Sequence, residues 1–316
     1  MELIRGIHNI NASHHACALT IGKFDGVHKG HQAVLLKLVQ KAKSLGVPSV
    51  VMVFEPQPDE VFSPASAPAR ISRLRDKYHA FNALGIDRLL CVSFSKRFAN
   101  MSPQDFVQDL LISKLGVKFL VVGDDFKFGF KRQGDFSFLQ KAAAQSDFDV
   151  VNTDSFRIND SRISSTAIRD ALQAGDFALA AKMLGKPYAI SGKVVHGEKK
   201  GRTIGFPTAN ILLKRHKAAV NGVFAVRVLI AGSSYHGVAN LGRRPTLNGE
   251  QLQLETHIFE YDKNLYGQYI NVEFVEKIRD EIKFESFAEL KQQIKSDAQQ
   301  AKISLSRFVT METHNE

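Results

Sequence analysis

The segment Gly22-Lys23-Phe24-Asp25-Gly26-Val27-His28-Lys29-Gly30-His31 follows directly on the apolar run Cys17-Ala18-Leu19-Thr20-Ile21. A strand that ends in a glycine-rich turn and opens into a helix is suited to hold a nucleotide phosphate. Glycine lets backbone N–H groups come close to the phosphate, and the helix start adds partial positive charge. His28 and His31 can donate hydrogen bonds to charge that develops on a phosphoryl group in transfer. A zinc site would need a third Cys, His or carboxylate at ligand spacing, and the neighbourhood has none. The segment predicts nucleotidyl transfer.

A second cluster is Ile163-Ser164-Ser165-Thr166-Ala167-Ile168-Arg169. Three hydroxyls precede a helical pattern, and an arginine follows on its first turn. Hydroxyls and N-terminal amides receive phosphate oxygens, and a guanidinium fork neutralises them. A third cluster is Gly201-Arg202-Thr203-Ile204-Gly205-Phe206-Pro207-Thr208-Ala209-Asn210. Its glycines, hydroxyl and amide suit phosphate, and Thr208 offers an oxygen to Mg²⁺, a cation that takes oxygen ligands. Glu255, within Leu254-Glu255-Thr256-His257-Ile258-Phe259, can accept a proton from an alcohol if it faces that loop.

The elements that must position these groups follow from hydrophobic patterning. Strands are expected at 16–22, 49–55, 88–94, 118–123 and 149–152. Helices are expected between them at 31–44, 70–84, 103–115 and 136–146, with two more at 164–173 and 176–184. This alternation argues for a doubly wound parallel sheet, whose ligands bind beyond the carboxyl ends of the strands. Leu184-Gly185-Lys186-Pro187 closes a helix and opens a linker, so a boundary is expected between 185 and 186.

Beyond the boundary the character changes. Strands are expected at 188–196, 223–231, 234–241, 252–260 and 268–278, several of them alternating in and out. Ala231-Gly232-Ser233-Ser234 suits a hairpin turn. This pattern argues for an antiparallel barrel or sandwich. A last helix is expected at about 286–309, with Ser286 as N-cap and Phe287, Leu290, Ile294, Ala298 and Ala301 at helical spacing.

Composition sets outer limits. The 316 residues, 44% of them hydrophobic, suffice for two domains with separate cores. The net charge of +10 divides evenly between 1–185 and 186–316, without a polybasic tail. Its sign fits nucleic acid and small polyphosphates alike. The lack of Lys/Arg clusters and of strand-borne aromatic motifs speaks against nucleic acid. No apolar run is long enough to cross a bilayer, and the N-terminus lacks a signal peptide's apolar stretch, so a cytoplasmic protein without membrane partners is expected. Cys17 and Cys91 lie in apolar runs and are expected as free thiols.

The first two clusters resemble the nucleotidyltransferase superfamily, with its His-x-Gly-His and Ile-Ser-Ser-Thr-x-x-Arg signatures. The third, with Ala239-Asn240-Leu241-Gly242, the Glu-x-His-Ile-Phe segment and Leu265-Tyr266-Gly267, resembles the riboflavin kinases. Phe54-Glu55-Pro56-Gln57-Pro58 and Val122-Gly123-Asp124-Asp125-Phe126-Lys127-Phe128-Gly129 extend the likeness in the first half. The whole chain is similar to the bacterial FAD synthetase family, which joins riboflavin kinase to FMN adenylyltransferase.

The resemblance implies an α/β protein: an N-terminal doubly wound, Rossmann-like parallel sheet plus a C-terminal antiparallel β-barrel with a terminal helix. It implies FMN adenylyl transfer in 1–185 and riboflavin phosphorylation in 186–316. In the first module His28 and His31 would stabilise the α-phosphate. Gly22, Phe24, Asp25, Ser164, Thr166 and Arg169 would bind ATP, and Pro56, Pro58 and Asp125 would form the flavin-side wall. In the second, Gly201, Gly205, Thr208 and Asn210 would bind ATP, Thr208 and Asn210 would hold Mg²⁺, Glu255 would be the base, and Arg279 would lie near the flavin. Substrates and products would be ATP, riboflavin, FMN and FAD, handled by a monomer or weak oligomer. Two positions depart from the family pattern. Lys23 stands where Asn is frequent, and Arg243 where Thr is frequent. The rival readings are a transferase for another acceptor, which leaves the Pro-Thr-Ala-Asn loop without a task, and a chain with one regulatory, inactive module.

Overall fold

The computed structural model describes residues 1–153, 157–158, 161–197, 205–213, 215, 217–246 and 249–313. The chain divides into two compact units, Met1–Ser165 and Thr166–Glu316.

The first unit is built on β1 (Glu2–Arg5), β2 (Cys17–Ile21), β3 (Ser49–Glu55), β4 (Arg88–Ser93), β5 (Val117–Gly123) and β6 (Asp149–Thr153). They form one sheet in the order β1-β4-β3-β2-β5-β6, every pair parallel. The order reverses at β2, which lies between β3 and β5. In such sheets the crevice beyond the carboxyl end of that strand receives ligands.

β2 is buried along its length because both sheet faces are covered. Cys17, Leu19 and Ile21 face one core, with Met52, Leu90, Phe106, Leu110 and Leu111. Ala18 faces the other, with Val51, Val53, Leu89, Leu35, Leu38 and Phe81. The covering helices are α1 (Lys29–Leu45), α2 (Pro58–Phe62), α3 (Leu74–Ala83), α4 (Lys96–Ala99), α5 (Pro103–Asp105, continuing as a π-helix over Phe106–Lys114) and α6 (Phe136–Ala144). Leu35, Leu38, Val39 and Ala42 form the buried stripe of α1. Full burial contributes roughly 1.5–3 kcal/mol for each large aliphatic side chain. Gly46 then ends α1 in the left-handed conformation at φ 66.

A two-residue pair, β7 (Arg157–Ile158) and β8 (Ser161–Arg162), precedes α7 (Ser165–Ala174) and α8 (Phe177–Leu184). Gly185, the expected boundary residue, caps α8 at φ 78.

In the second unit β9 (Ala189–Val195), β10 (Ala209–Leu213), β11 (Gly222–Ile230), β12 (Ser233–Thr246), β13 (Gly249–Ile258) and β14 (Tyr269–Arg279) close into an antiparallel barrel, in the order β10-β13-β12-β11-β14-β9. The Ala231-Gly232 hairpin has positive φ at both residues, 48 and 87, which joins twisted strands without splaying them. Phe177 of α8 packs on Phe224 and Phe274, ring centroids 5.8 Å apart in each case. The terminal helix α9 (Phe287–Thr313) lays Ala298, Ala301 and Leu305 on Val223, Ala225 and Val238 of the barrel's outer face. The Ser286 hydroxyl accepts the Glu289 N–H at 3.2 Å, as expected of an N-cap.

The doubly wound sheet, the barrel and the terminal helix are those expected from sequence. β1 and β10 were not expected. Cys17 and Cys91 are free. Among the described residues no helix is long and apolar enough to cross a membrane.

Candidate functional site

The glycine-rich turn leaves the carboxyl end of β2 at the point where strand order reverses. Its backbone is unusual. Phe24 and Val27 hold φ of 45 and 44, values costly for an aromatic and a β-branched residue. Such backbone persists only where its surroundings over-determine it, at about 1–3 kcal/mol per residue. The surroundings here are visible. The Asp25 carboxylate, in a residue 1% exposed, accepts the Ile71 N–H at 3.1 Å and the Ser72 N–H at 2.9 Å. The Ser72 hydroxyl in turn accepts the Gly26 N–H at 2.8 Å. Lys77 of α3 donates to the Lys23 carbonyl at 2.6 Å, and the Lys23 side chain pairs with Asp59. Ser165, at the start of α7, donates from its hydroxyl to the Asp25 carbonyl at 3.0 Å. The Asp25 side chain thus helps to shape the turn.

His28 caps α1, its Nδ1 accepting the His31 N–H at 3.3 Å. The two imidazoles stack with centroids 3.6 Å apart and an interplanar angle of 17°. Burial pulls His28 down to about 4 from its ordinary value, against the opposing Asp25 charge. Burial also takes His31 well below its ordinary value, with His28 and Lys77 acting in the same direction. Both rings are therefore neutral near pH 7. The Nδ1 of His31 is buried without a hydrogen-bond partner. Phe24 presents its ring edge to His31 at 5.1 Å, and Gly22 lies against that same ring.

The wall on the β3 side is an ionic network missed in the sequence. Arg70 donates to Glu55, at the end of β3, at 2.6 and 3.0 Å, and also to Glu60 of α2. Burial opposes the Arg70 charge, but the bonds to Glu60 and Glu55 outweigh it and raise its pKa. Pro56 and Pro58 lie between those two carboxylates, Pro56 after a cis bond and Pro58 at the start of α2. Phe54, Phe94, Phe98 and the exposed Phe62 cluster beside them, centroids 5.5–5.9 Å apart. Asp125 is exposed after β5, and Phe126 stacks on the buried Phe128 at 5.6 Å.

Ser164 is half-buried ahead of α7. Thr166 is exposed and Arg169 half-buried on that helix, both within the second compact unit.

In the barrel, strand register builds the second candidate site. Glu255 of β13 lies opposite both Asn210 of β10 and Asn240 of β12. Cross-strand partners share a face, so three polar side chains form one row on the barrel exterior. Glu255 accepts from Arg244 Nε at 2.8 Å. Asn210, 5% exposed, accepts from Gln253 at 2.8 Å and donates to the Thr208 carbonyl at 3.3 Å. His257 bonds the Pro207 carbonyl at 2.9 Å and meets the Phe206 ring edge-on, which fixes the stretch carrying Thr208. Gly205 is exposed at φ 85. Gly201 lies outside the described residues.

Arg279 ends β14. Its guanidinium makes a two-pronged pair with Asp297 of α9 at 2.9 and 2.7 Å, so it first of all ties the strand end to the helix. Arg243 pairs with Glu250 at 3.3 Å. Among the described residues no cluster of three or more His, Cys, Asp or Glu is arranged for a metal ion.

Comparison with known proteins bears on both sites. The family model for FAD synthetase matches residues 10–167, and that for riboflavin kinase matches 184–305. The bifunctional riboflavin kinase/FMN adenylyltransferase of Haemophilus influenzae is 52% identical over 303 residues, covering 96% of this chain and 98% of that protein. Its Escherichia coli K12 counterpart is 51% identical over 299 residues, covering 94% and 96%. A crystal structure from Streptococcus pneumoniae, described as a macrolide-efflux protein, superposes with a TM-score of 0.74 at 31% identity, covering 94% of this chain and 97% of that one. With both halves matched, in order and along nearly the full length, the chain belongs to the bifunctional riboflavin kinase/FMN adenylyltransferase family.

Proposed function

We propose that the chain makes FAD from riboflavin in two ATP-dependent steps at two separate sites, with phosphorylation in 186–316 and adenylyl transfer in 1–185. The family models at 184–305 and 10–167 support this division.

For adenylyl transfer, the observation that carries the reading is the neutral, stacked His28–His31 pair at the start of α1, where strand order reverses. An FMN phosphate oxygen attacks the α-phosphorus of ATP, and the bond to pyrophosphate breaks. Neutral imidazoles donate to the oxygens that gain charge without adding a cation that would hold product. Gly22, Phe24 and Asp25 form the turn around the triphosphate, and Ser164 takes the departing pyrophosphate; the family resemblance gives Thr166 and Arg169 the same task. Pro56, Pro58 and Asp125 border the flavin. No covalent intermediate is needed, since positioning and electrostatics supply the acceleration.

For the kinase step, Glu255 accepts the proton of the terminal ribityl hydroxyl as that oxygen attacks the γ-phosphorus and ADP departs. Arg244 holds the carboxylate in place. Thr208 and Asn210 would hold Mg²⁺ together with the phosphates of ATP. Their oxygen donors suit that cation, which keeps several waters and needs few protein ligands. When bound, Mg²⁺ neutralises charge on the transferred phosphoryl group. Gly205 borders the nucleotide, and Arg279 closes the flavin side through its tie to Asp297.

The substrates are small molecules, and the protein works in the cytoplasm as a monomer or weak oligomer. Incubation with riboflavin and Mg-ATP should yield FMN first and FAD second by chromatography, and chelation of Mg²⁺ should stop both. Formation of neither flavin by folded protein would refute the proposal.

A further inference from the structure

Lys77 is the largest fully buried side chain among the described residues, at 1% exposure. Lysine seldom occupies such a position without partners. Its Nζ donates to the Lys23 carbonyl at 2.6 Å, inside the phosphate turn. The charges that bear on it are Asp25 from the turn, Glu55 from β3, Glu60 from α2 and Arg70 from the segment before α3. Its own charge in turn bears on His31 of α1. No step described above uses it.

We propose that Lys77 is a positioning residue for adenylyl transfer, its buried ammonium holding the Lys23 carbonyl inward so that the turn stays open to the triphosphate. The reason is peptide geometry. A trans peptide is planar, with C=O and N–H pointing opposite ways. Fixing the Lys23 carbonyl toward α3 therefore directs the Phe24 N–H away from that helix. The Phe24 φ of 45 marks a backbone that needs such an anchor. A side chain with no N–H would leave the carbonyl without its donor and the turn free to relax. The ammonium also places positive charge beneath a turn built for an anion.

The inference rests on the reading of this turn as the adenylyl site. Three full-length variants test it: Lys77→Met, Lys77→Ala and His31→Ala, each assayed for FMN-to-FAD conversion over a range of ATP. The kinase activity of the same preparations and the thermal transition of the first unit serve as controls. Lys77→Met should lower kcat for FAD formation by about 100-fold, the scale of an ångström-sized misplacement. The KM for ATP and the kinase rate should change less than threefold. Ethylammonium should restore part of the activity of Lys77→Ala. An unchanged kcat in Lys77→Met, or a loss that accompanies disappearance of the first unit's transition and is not rescued by the amine, overturns the proposal. If His31→Ala loses FAD formation while Lys77→Met does not, only the role of Lys77 fails. If His31→Ala retains it, the reading of the turn fails with it.

Discussion

Replacing His28 with asparagine removes a titrating imidazole but keeps an N-cap acceptor at the start of α1, because asparagine is among the best N-cap residues. Burial lowers the folded-state value of His28 to about 4, whereas in the unfolded chain it titrates at its ordinary value near 6.5. The unfolded state therefore binds the proton first as pH falls. The stability at stake is fully present above pH 6.5 and is lost progressively toward pH 4. By pH 5 the loss from this ring alone is roughly 2 kcal/mol, at 1.36 kcal/mol per unit. His31 contributes in the same direction but remains in both proteins. The chain has no tryptophan and two compact units, so native-state hydrogen exchange of amides on β2 and α1 is the suitable assay. Between pH 7.5 and 5, wild type should lose about 2 kcal/mol more local stability than His28→Asn. Equal losses would show that His28 is not held neutral by its surroundings, and the neutral-imidazole argument would fall.

Asp25→Ala leaves the buried Ile71 and Ser72 amides without their carboxylate, and should destabilise the first unit by roughly 2–5 kcal/mol, read from its thermal transition. Gly222→Ala should be among the most damaging single-methyl additions in the barrel. Its Cβ would lie 2.4 Å from the Arg279 carbonyl oxygen at φ +115, so the second unit should melt several degrees lower while FAD formation from supplied FMN persists.

Much of the fold was legible because hydrophobic periodicity dominates it. The fully buried β2 and the alternating β14 read directly as parallel and antiparallel strands. β1 escaped notice because a four-residue strand gives too short a pattern. β10 was hidden behind Pro207 and the glycines before it, which read as loop, although Ala209–Leu213 pairs on both sides. The π-helix over Phe106–Lys114 has no sequence signal distinct from that of an α-helix.

Of the candidate sites, the His28–His31 turn was visible because all its parts are adjacent in the chain. The Asn210–Glu255–Asn240 row was not, since it arises from register between strands far apart in sequence. The Arg70–Glu55–Glu60 network and Lys77 were missed for a related reason. Charged residues scattered along α2, α3 and their flanks read as solvated faces, and only tertiary folding turns them inward. Asp25 was expected beside the nucleotide; the bonds its carboxylate accepts from the Ile71 and Ser72 amides, in a distant stretch of chain, had no signal in the sequence.

The central claim, two chemically independent sites in one chain, is tested most directly by a paired product time course on His31→Ala and Glu255→Gln, both supplied with riboflavin and Mg-ATP. His31→Ala should accumulate FMN and stop there, whereas Glu255→Gln should make nothing until FMN is added and then form FAD at the wild-type rate. A single substitution that silenced both reactions in a folded chain would contradict the account.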